Sequence, residues 1–136
     1  MERRDNFGTH IISDLHGCDP ERLMEKDRIK QFIEKAIEDS GLVKIKSHFH
    51  QFEPYGVTGI TLLSSSHLAI HTWPEYGYVS LDIYSCGSSD SCFSVYKKIV
   101  KFFNPKKTST TVFTRGKIDK TQSQSMPEDI KVISRA

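Results

Sequence analysis

Apolar residues Ile29, Phe32, Ile33, Ala36 and Ile37 recur at spacings of three and four, which predicts a helix with one core-facing stripe that stops near Gly41. A second stripe, Cys92, Tyr96, Ile99, Val100 and Phe103, predicts a helix over 89–103 that Pro105 brings to an end. Elsewhere the period is two. Residues 9–15, an imperfect alternation over 42–52 (Val43, Ile45, Phe49), 57–63, 67–73, 78–84 and the β-branched run 108–114 all read as strands. Turn signals separate them: GCDP, in which Asp19 can cap a helix with Pro20 in its first turn, then Pro54–Gly56 and Pro74–Gly77.

In the 78–84 strand, Val79, Leu81 and Ile83 share one face, and Tyr78, Ser80, Asp82 and Tyr84 share the other. Short connections between strands imply a largely antiparallel sheet, and two amphipathic helices can cover one of its faces. The expected class is α+β, a two-layer α/β sandwich with both helices on one face. The other face, with its tyrosines, is left for a second subunit, so a dimer is expected. Residues 1–115 form the single domain in this reading, and 116–136 form a polar, flexible tail.

At 136 residues, folding buries roughly two thirds of the unfolded surface, enough for one core. The net charge of +2 provides no polybasic field for nucleic acid. No apolar run approaches a membrane span, and MERRDNFGTH has no apolar core of a secretion signal, so the expected location is the cytoplasm. Cys18, Cys86 and Cys92 are odd in number and irregular in spacing, which argues against a disulfide framework. Cys18 and Cys92 read as small packing groups. Cys86, beside Gly87 at a strand end, is the one placed to reach a site.

The chemistry concentrates in SSSHLAIHTWPEYGYVSLDIYSCG, residues 64–87. The serine run can be a polar strand edge or hold a nucleophile; no Gly-x-Ser-x-Gly elbow surrounds it, so a hydrolase triad lacks its supporting turn. His67 and His71 share a strand face with Ala69 and Trp73. A zinc reading would use His48, His50, His67 and His71 with Cys86 or Asp82, but no Cys-x-x-Cys or His-Glu-x-x-His pattern supports it, and no metal is expected.

That stretch, together with FHQFEPYGVTGI upstream and GTHIISDLHGCD near the start, resembles the prokaryotic S-adenosylmethionine decarboxylase proenzymes over about residues 8–115. The resemblance implies a pyruvoyl enzyme made by self-cleavage, dimeric once processed, that decarboxylates S-adenosylmethionine for polyamine (spermidine) synthesis. A decarboxylase needs an electron sink, which no ordinary side chain offers and a carbonyl bonded to the substrate amine does. By resemblance Ser66 is its precursor: its hydroxyl attacks the Ser65 carbonyl, the ester eliminates, and the dehydroalanine left at the new chain start hydrolyses to the pyruvoyl group.

The resemblance assigns further roles by position. His71 takes the Ser66 α-proton during cleavage, a task that suits an imidazole. Thr58 stands where the family has a serine that supports the cleavage intermediate. Cys86 matches the proton donor to the decarboxylated carbon. Phe52 and Glu75 match positions for adenine stacking and the ribose hydroxyls, and His67 shapes the site directly after Ser66. Ser65 stands where the family has glutamate, in a Ser-Glu-Ser-His run, and Ala69 replaces a more usual threonine. Arginine or ornithine decarboxylation on the same scaffold, and an uncleaved non-enzymatic homologue, are the alternative readings.

Overall fold

The computed structural model describes residues 6–116; the segment expected as a tail lies, from residue 117 on, outside the described residues. Six strands and two helices follow one another as β1 (Gly8–His16), α1 (Lys26–Asp39), β2 (Lys44–Gln51), β3 (Val57–Leu63), β4 (Ser66–Trp73), β5 (Tyr78–Ser85), α2 (Ser89–Phe103) and β6 (Lys107–Arg115). Every ladder is antiparallel, and the strand order is β2-β3-β4-β5-β1-β6. The sheet is therefore a run of hairpins from β2 to β5, with β1 and β6 added beyond β5.

Alternation decides the faces. Ile11 and Leu15 of β1, Leu68 and Ile70 of β4, and Val79, Leu81 and Ile83 of β5 point to the helix side and are buried. Ile29, Ile33, Ala36 and Ile37 of α1 and Cys92, Val95, Ile99 and Phe103 of α2 close over them. Each such aliphatic side chain removed from water contributes about 1.5–3 kcal/mol. Thus the core lies wholly between the sheet and the helix layer. The opposite face carries no helix, and Ile12, Ile60, Leu62, Trp73 and Phe113 stand exposed on it.

Two expectations are adjusted. Only Phe49 of the apolar positions expected in β2 is buried, while Val43 and Ile45 are exposed. The register shifts between Lys44 and Lys46 on this edge strand, and the extra residue breaks the alternation. Phe49 lies opposite Gly59, where an added Cβ would come within 2.3 Å of its ring, so the glycine makes the seat for the phenylalanine. Asp19 caps no long helix: Pro20–Arg22 is a single 3-10 turn without a side-chain cap bond.

The start of α1 is capped from elsewhere. Gln51 accepts from the Lys26 N–H at 2.7 Å and donates to the carbonyls of Met24 (2.8 Å) and Gly56 (3.0 Å). One amide thus satisfies an orphan helix donor and also braces the β2–β3 connection that carries Phe52. The helix α2 begins conventionally, with the Ser88 hydroxyl accepting from the Asp90 N–H at 3.1 Å, and ends at Asn104 in the left-handed conformation. Gly77, at φ +58, ends the Pro74–Tyr76 turn, and its carbonyl accepts from the Cys18 N–H at 2.9 Å. That bond ties the GCD turn to the one bearing Glu75.

Candidate active site

The residues singled out by sequence fall into two groups, at opposite ends of β4. At its first residue, Ser66 is 7% exposed, and its Oγ accepts from the Cys86 N–H at 3.0 Å. Ser64 and Ser65 form the two-residue tip of the β3–β4 hairpin, since Leu63 pairs with Ser66. Ser65 has φ +61, a conformation that costs a non-glycine residue of order 1 kcal/mol. The carbonyl that the Ser66 hydroxyl would attack therefore belongs to the strained residue of the turn. Cys86 is partly exposed just past the end of β5.

Around this end, on the open face, stand His10, His67, Asp82, Tyr84 and Arg115. His10 and His67 oppose Tyr84 from its two flanking strands. The His10 Nε2 pairs with the Asp82 carboxylate, and the His67 Nε2 lies 3.8 Å from the other oxygen of the same carboxylate. The Arg115 guanidinium donates to His10 Nδ1 at 2.9 Å. A guanidinium can only donate, so Nδ1 carries the lone pair and Nε2 carries the proton directed at Asp82. His10, His67 and Asp82 are the one group of three potential metal ligands among the described residues. A ligating histidine normally donates from its second nitrogen, the reverse of what Arg115 requires of His10, so the trio reads as a hydrogen-bonded chain. Of the zinc reading, only His67 and Asp82 meet.

The second group lies at the Trp73 end. Thr58 opposes His71 across the β3–β4 ladder, and its Oγ1 is 3.0 Å from His71 Nδ1. Phe52, Tyr55, Thr58, His71, Trp73 and Glu75 line a cavity of about 240 Å³. His71 and Trp73 approach to 6.1 Å between centroids, and Trp73 stacks on Tyr78 at 5.2 Å. Tyr78 donates to Asp14 at 2.6 Å; burial first, then that bond, pushes its phenol up. Aromatic walls with Glu75 at the rim suit a flat heterocycle bearing hydroxyls. Larger depressions, of about 600 Å³ beside α1 and about 590 Å³ beside α2, hold none of these residues.

Ser66 and His71 are five residues apart on one strand, about 16 Å, and point to opposite faces. A single chain does not bring them together. Sequence reasoning gave no role to Gln51, His10, Tyr84 or Arg115. The signal for the last three was their shared strand parity at one sheet end, visible only once β1 and β6 are known to be neighbours.

The family model described as S-adenosylmethionine decarboxylase matches residues 9–116. The S-adenosylmethionine decarboxylase proenzyme of Aquifex aeolicus is 37% identical over 127 residues, covering 93% of this chain and 94% of that protein. The proenzyme of Thermoplasma acidophilum is 40% identical over 122 residues, covering 90% and 93%. The crystal structure of the Aquifex aeolicus adenosylmethionine decarboxylase superposes with a TM-score of 0.82 at 36% identity, covering 89% of this chain and all of that one. A Trypanosoma brucei AdoMetDC structure shares the fold alone, at TM-score 0.55 and 19% identity. With a six-stranded antiparallel sheet under two helices, and a match spanning nearly the whole described chain, this protein belongs to the S-adenosylmethionine decarboxylase family.

Proposed function

We propose that the chain cleaves itself between Ser65 and Ser66 and then decarboxylates S-adenosylmethionine, supplying the aminopropyl donor for polyamine synthesis. The observation that carries this reading is the Ser66 hydroxyl, buried at a hairpin tip, directly after a left-handed residue and bonded to the Cys86 N–H. Cleavage forms the Ser66 Oγ to Ser65 carbonyl bond, breaks the peptide C–N bond, and then expels the Ser65 carboxylate as the Ser66 α-proton is lost; water adds to the dehydroalanine left at position 66 and its nitrogen leaves as ammonia, giving the pyruvoyl group.

The residues around Ser66 fit the group it would become. Ser66 itself is largely screened from water, the Cys86 backbone N–H lies beside its hydroxyl, and no bulky side chain stands at Ser64 or Ser65. When formed, the pyruvoyl carbonyl would bond the substrate amine and take up the electrons left by carbon dioxide. Cys86 then holds the proton for the decarboxylated carbon. Phe52 and Trp73 offer ring faces to adenine, and Glu75 accepts from the ribose hydroxyls.

The separation of Ser66 from His71 gives the second subunit a task. In a two-fold pair with open faces together, the Ser66 end of one chain meets the Thr58–His71 end of the other, and each chain completes its partner's site. Ile12, Ile60, Leu62, Trp73 and Phe113 supply the apolar area for that contact. The absence of any helix long and apolar enough to cross a membrane, among the described residues, and three unpaired cysteines support a cytoplasmic location.

Intact mass of the purified chain, followed by carbon dioxide release from labelled S-adenosylmethionine, arginine and ornithine, tests the reading. The expected result is fragments of 65 and 71 residues (136 minus 65 is 71) and turnover of S-adenosylmethionine. An uncut chain, or turnover of arginine or ornithine alone, would overturn it.

A further inference from the structure

The cavity wall at Trp73 has a support that lies outside the cavity. Trp73 and Tyr78 are the last pair of the β4–β5 ladder, and the turn between them carries Glu75. Their rings stack with centroids 5.2 Å apart, 24° from parallel. Strand order places β1 on the other side of β5, and from there the His16 ring stacks on Tyr78 at 5.2 Å and 18°. Asp14, also of β1, accepts from the Tyr78 hydroxyl at 2.6 Å. Tyr78 is thus held on both ring faces and at its polar end. The other ring neighbour of Trp73, His71, lies 6.1 Å away and tilted by 37°, a looser contact. The plane of Trp73 is therefore set from the β5 side, while Phe52 and Thr58 line the cavity from the β2–β3 hairpin.

We infer that Tyr78, tied to Asp14, is a positioning residue for Trp73: it fixes the plane of the ring on which a flat heterocycle lies, without touching that heterocycle itself. Stacking of two rings gains energy only over a narrow range of offset and separation, so a Trp73 ring free to swing presents a poorer surface and must be ordered when the ligand binds. Asp14 and His16 act through the phenol. By this route β1, which contributes no side chain to the cavity, takes part in binding. The inference rests on the reading of this cavity as the nucleoside site.

Trp73 is the one tryptophan of the chain, so the emission of the full-length protein reports on that ring alone. At 39% exposed it is within reach of a soluble quencher. Tyr78→Phe keeps the stack and removes the tie to Asp14; Tyr78→Leu removes both. Acrylamide quenching reads the freedom of the Trp73 ring, and quenching by added adenosine reads the affinity of the cavity without any decarboxylation. The expected result is adenosine bound about threefold more weakly by Tyr78→Phe and about tenfold more weakly by Tyr78→Leu, with acrylamide quenching rising in the same order. KM for S-adenosylmethionine should rise by the same factors with kcat within about twofold, whereas a damaged fold would lower the active fraction and so kcat. Parental quenching and affinity in Tyr78→Phe would overturn the inference, and so would a Tyr78→Leu protein that binds no more weakly than Tyr78→Phe. Adenosine that leaves the Trp73 emission of the parent protein unchanged would instead overturn the reading of the cavity as the nucleoside site.

Discussion

Ser66 and His71 occupy one strand yet face opposite sides of the sheet, with about 16 Å of backbone between them. If a neighbouring copy supplies the missing partner, then cleavage is a property of the pair. Coexpression of a Ser66→Ala chain with a His71→Ala chain checks this. The His71→Ala chain should be cut, because its intact Ser66 meets the partner's intact histidine, while the Ser66→Ala chain stays whole. Neither should be cut alone. Intact mass separates the cases.

Thr58 holds His71 through a hydroxyl, at 3.0 Å from Nδ1. Thr58→Val, nearly the same in shape, should slow self-cleavage about tenfold or more, since a hydrogen bond that orients a catalytic group contributes about 1–2 kcal/mol. Thr58→Ser should retain most of the rate. Gel quantification of uncut chain with time is sufficient, and equal rates for both variants would remove Thr58 from the process.

Ser65 holds φ +61 without being glycine. Glycine adopts that conformation freely, so Ser65→Gly lowers the energy of the uncut turn by about 1 kcal/mol. Cleavage should then slow by roughly fivefold if bond breakage releases the strain. A faster variant would mean that the strain does not assist cleavage.

The Cys18 and Cys92 thiols are pushed from 9.0 to about 11, first by burial. Their folded values lie above the unfolded ones, so their contribution is complete below pH 9 and is lost as pH rises through 11. Each contributes up to about 2–3 kcal/mol to that decline. Denaturant midpoints between pH 8 and 11 should fall less steeply for Cys92→Ala than for the parent protein. Parallel slopes would show that the thiol is not ionising on unfolding.

Much of this was readable from side-chain periodicity. The stripe in α2 and the alternation Val79, Leu81, Ile83 are direct records of burial, and burial set the elements where expected. The β2 edge was harder: one face of an edge strand with a register shift need not be buried, so Ile45 could be apolar without pointing inward. The cluster around Tyr84 was hidden for another reason. Arg115 touches His10 across 105 positions of sequence, and nothing local to either residue encodes that meeting. The separation of Ser66 from His71 follows once β4 is seen to begin at Ser66, one residue before the expected strand 67–73, since an odd separation on a strand places two side chains on opposite faces.

The place of β1 has a consequence for what cutting the hairpin does. The proposed cut divides the strands into β1–β3 and β4–β6, but β1 lies between β5 and β6, so the sheet order alternates between the two fragments. Neither piece holds a contiguous sheet of its own, and separating them means breaking the β3–β4, β1–β5 and β1–β6 ladders together. The nicked protein is consequently an interlocked assembly that persists without its peptide link. Once unfolded, it must reassemble from two chains, so its folding becomes concentration-dependent and maturation leaves a molecule easier to keep than to remake.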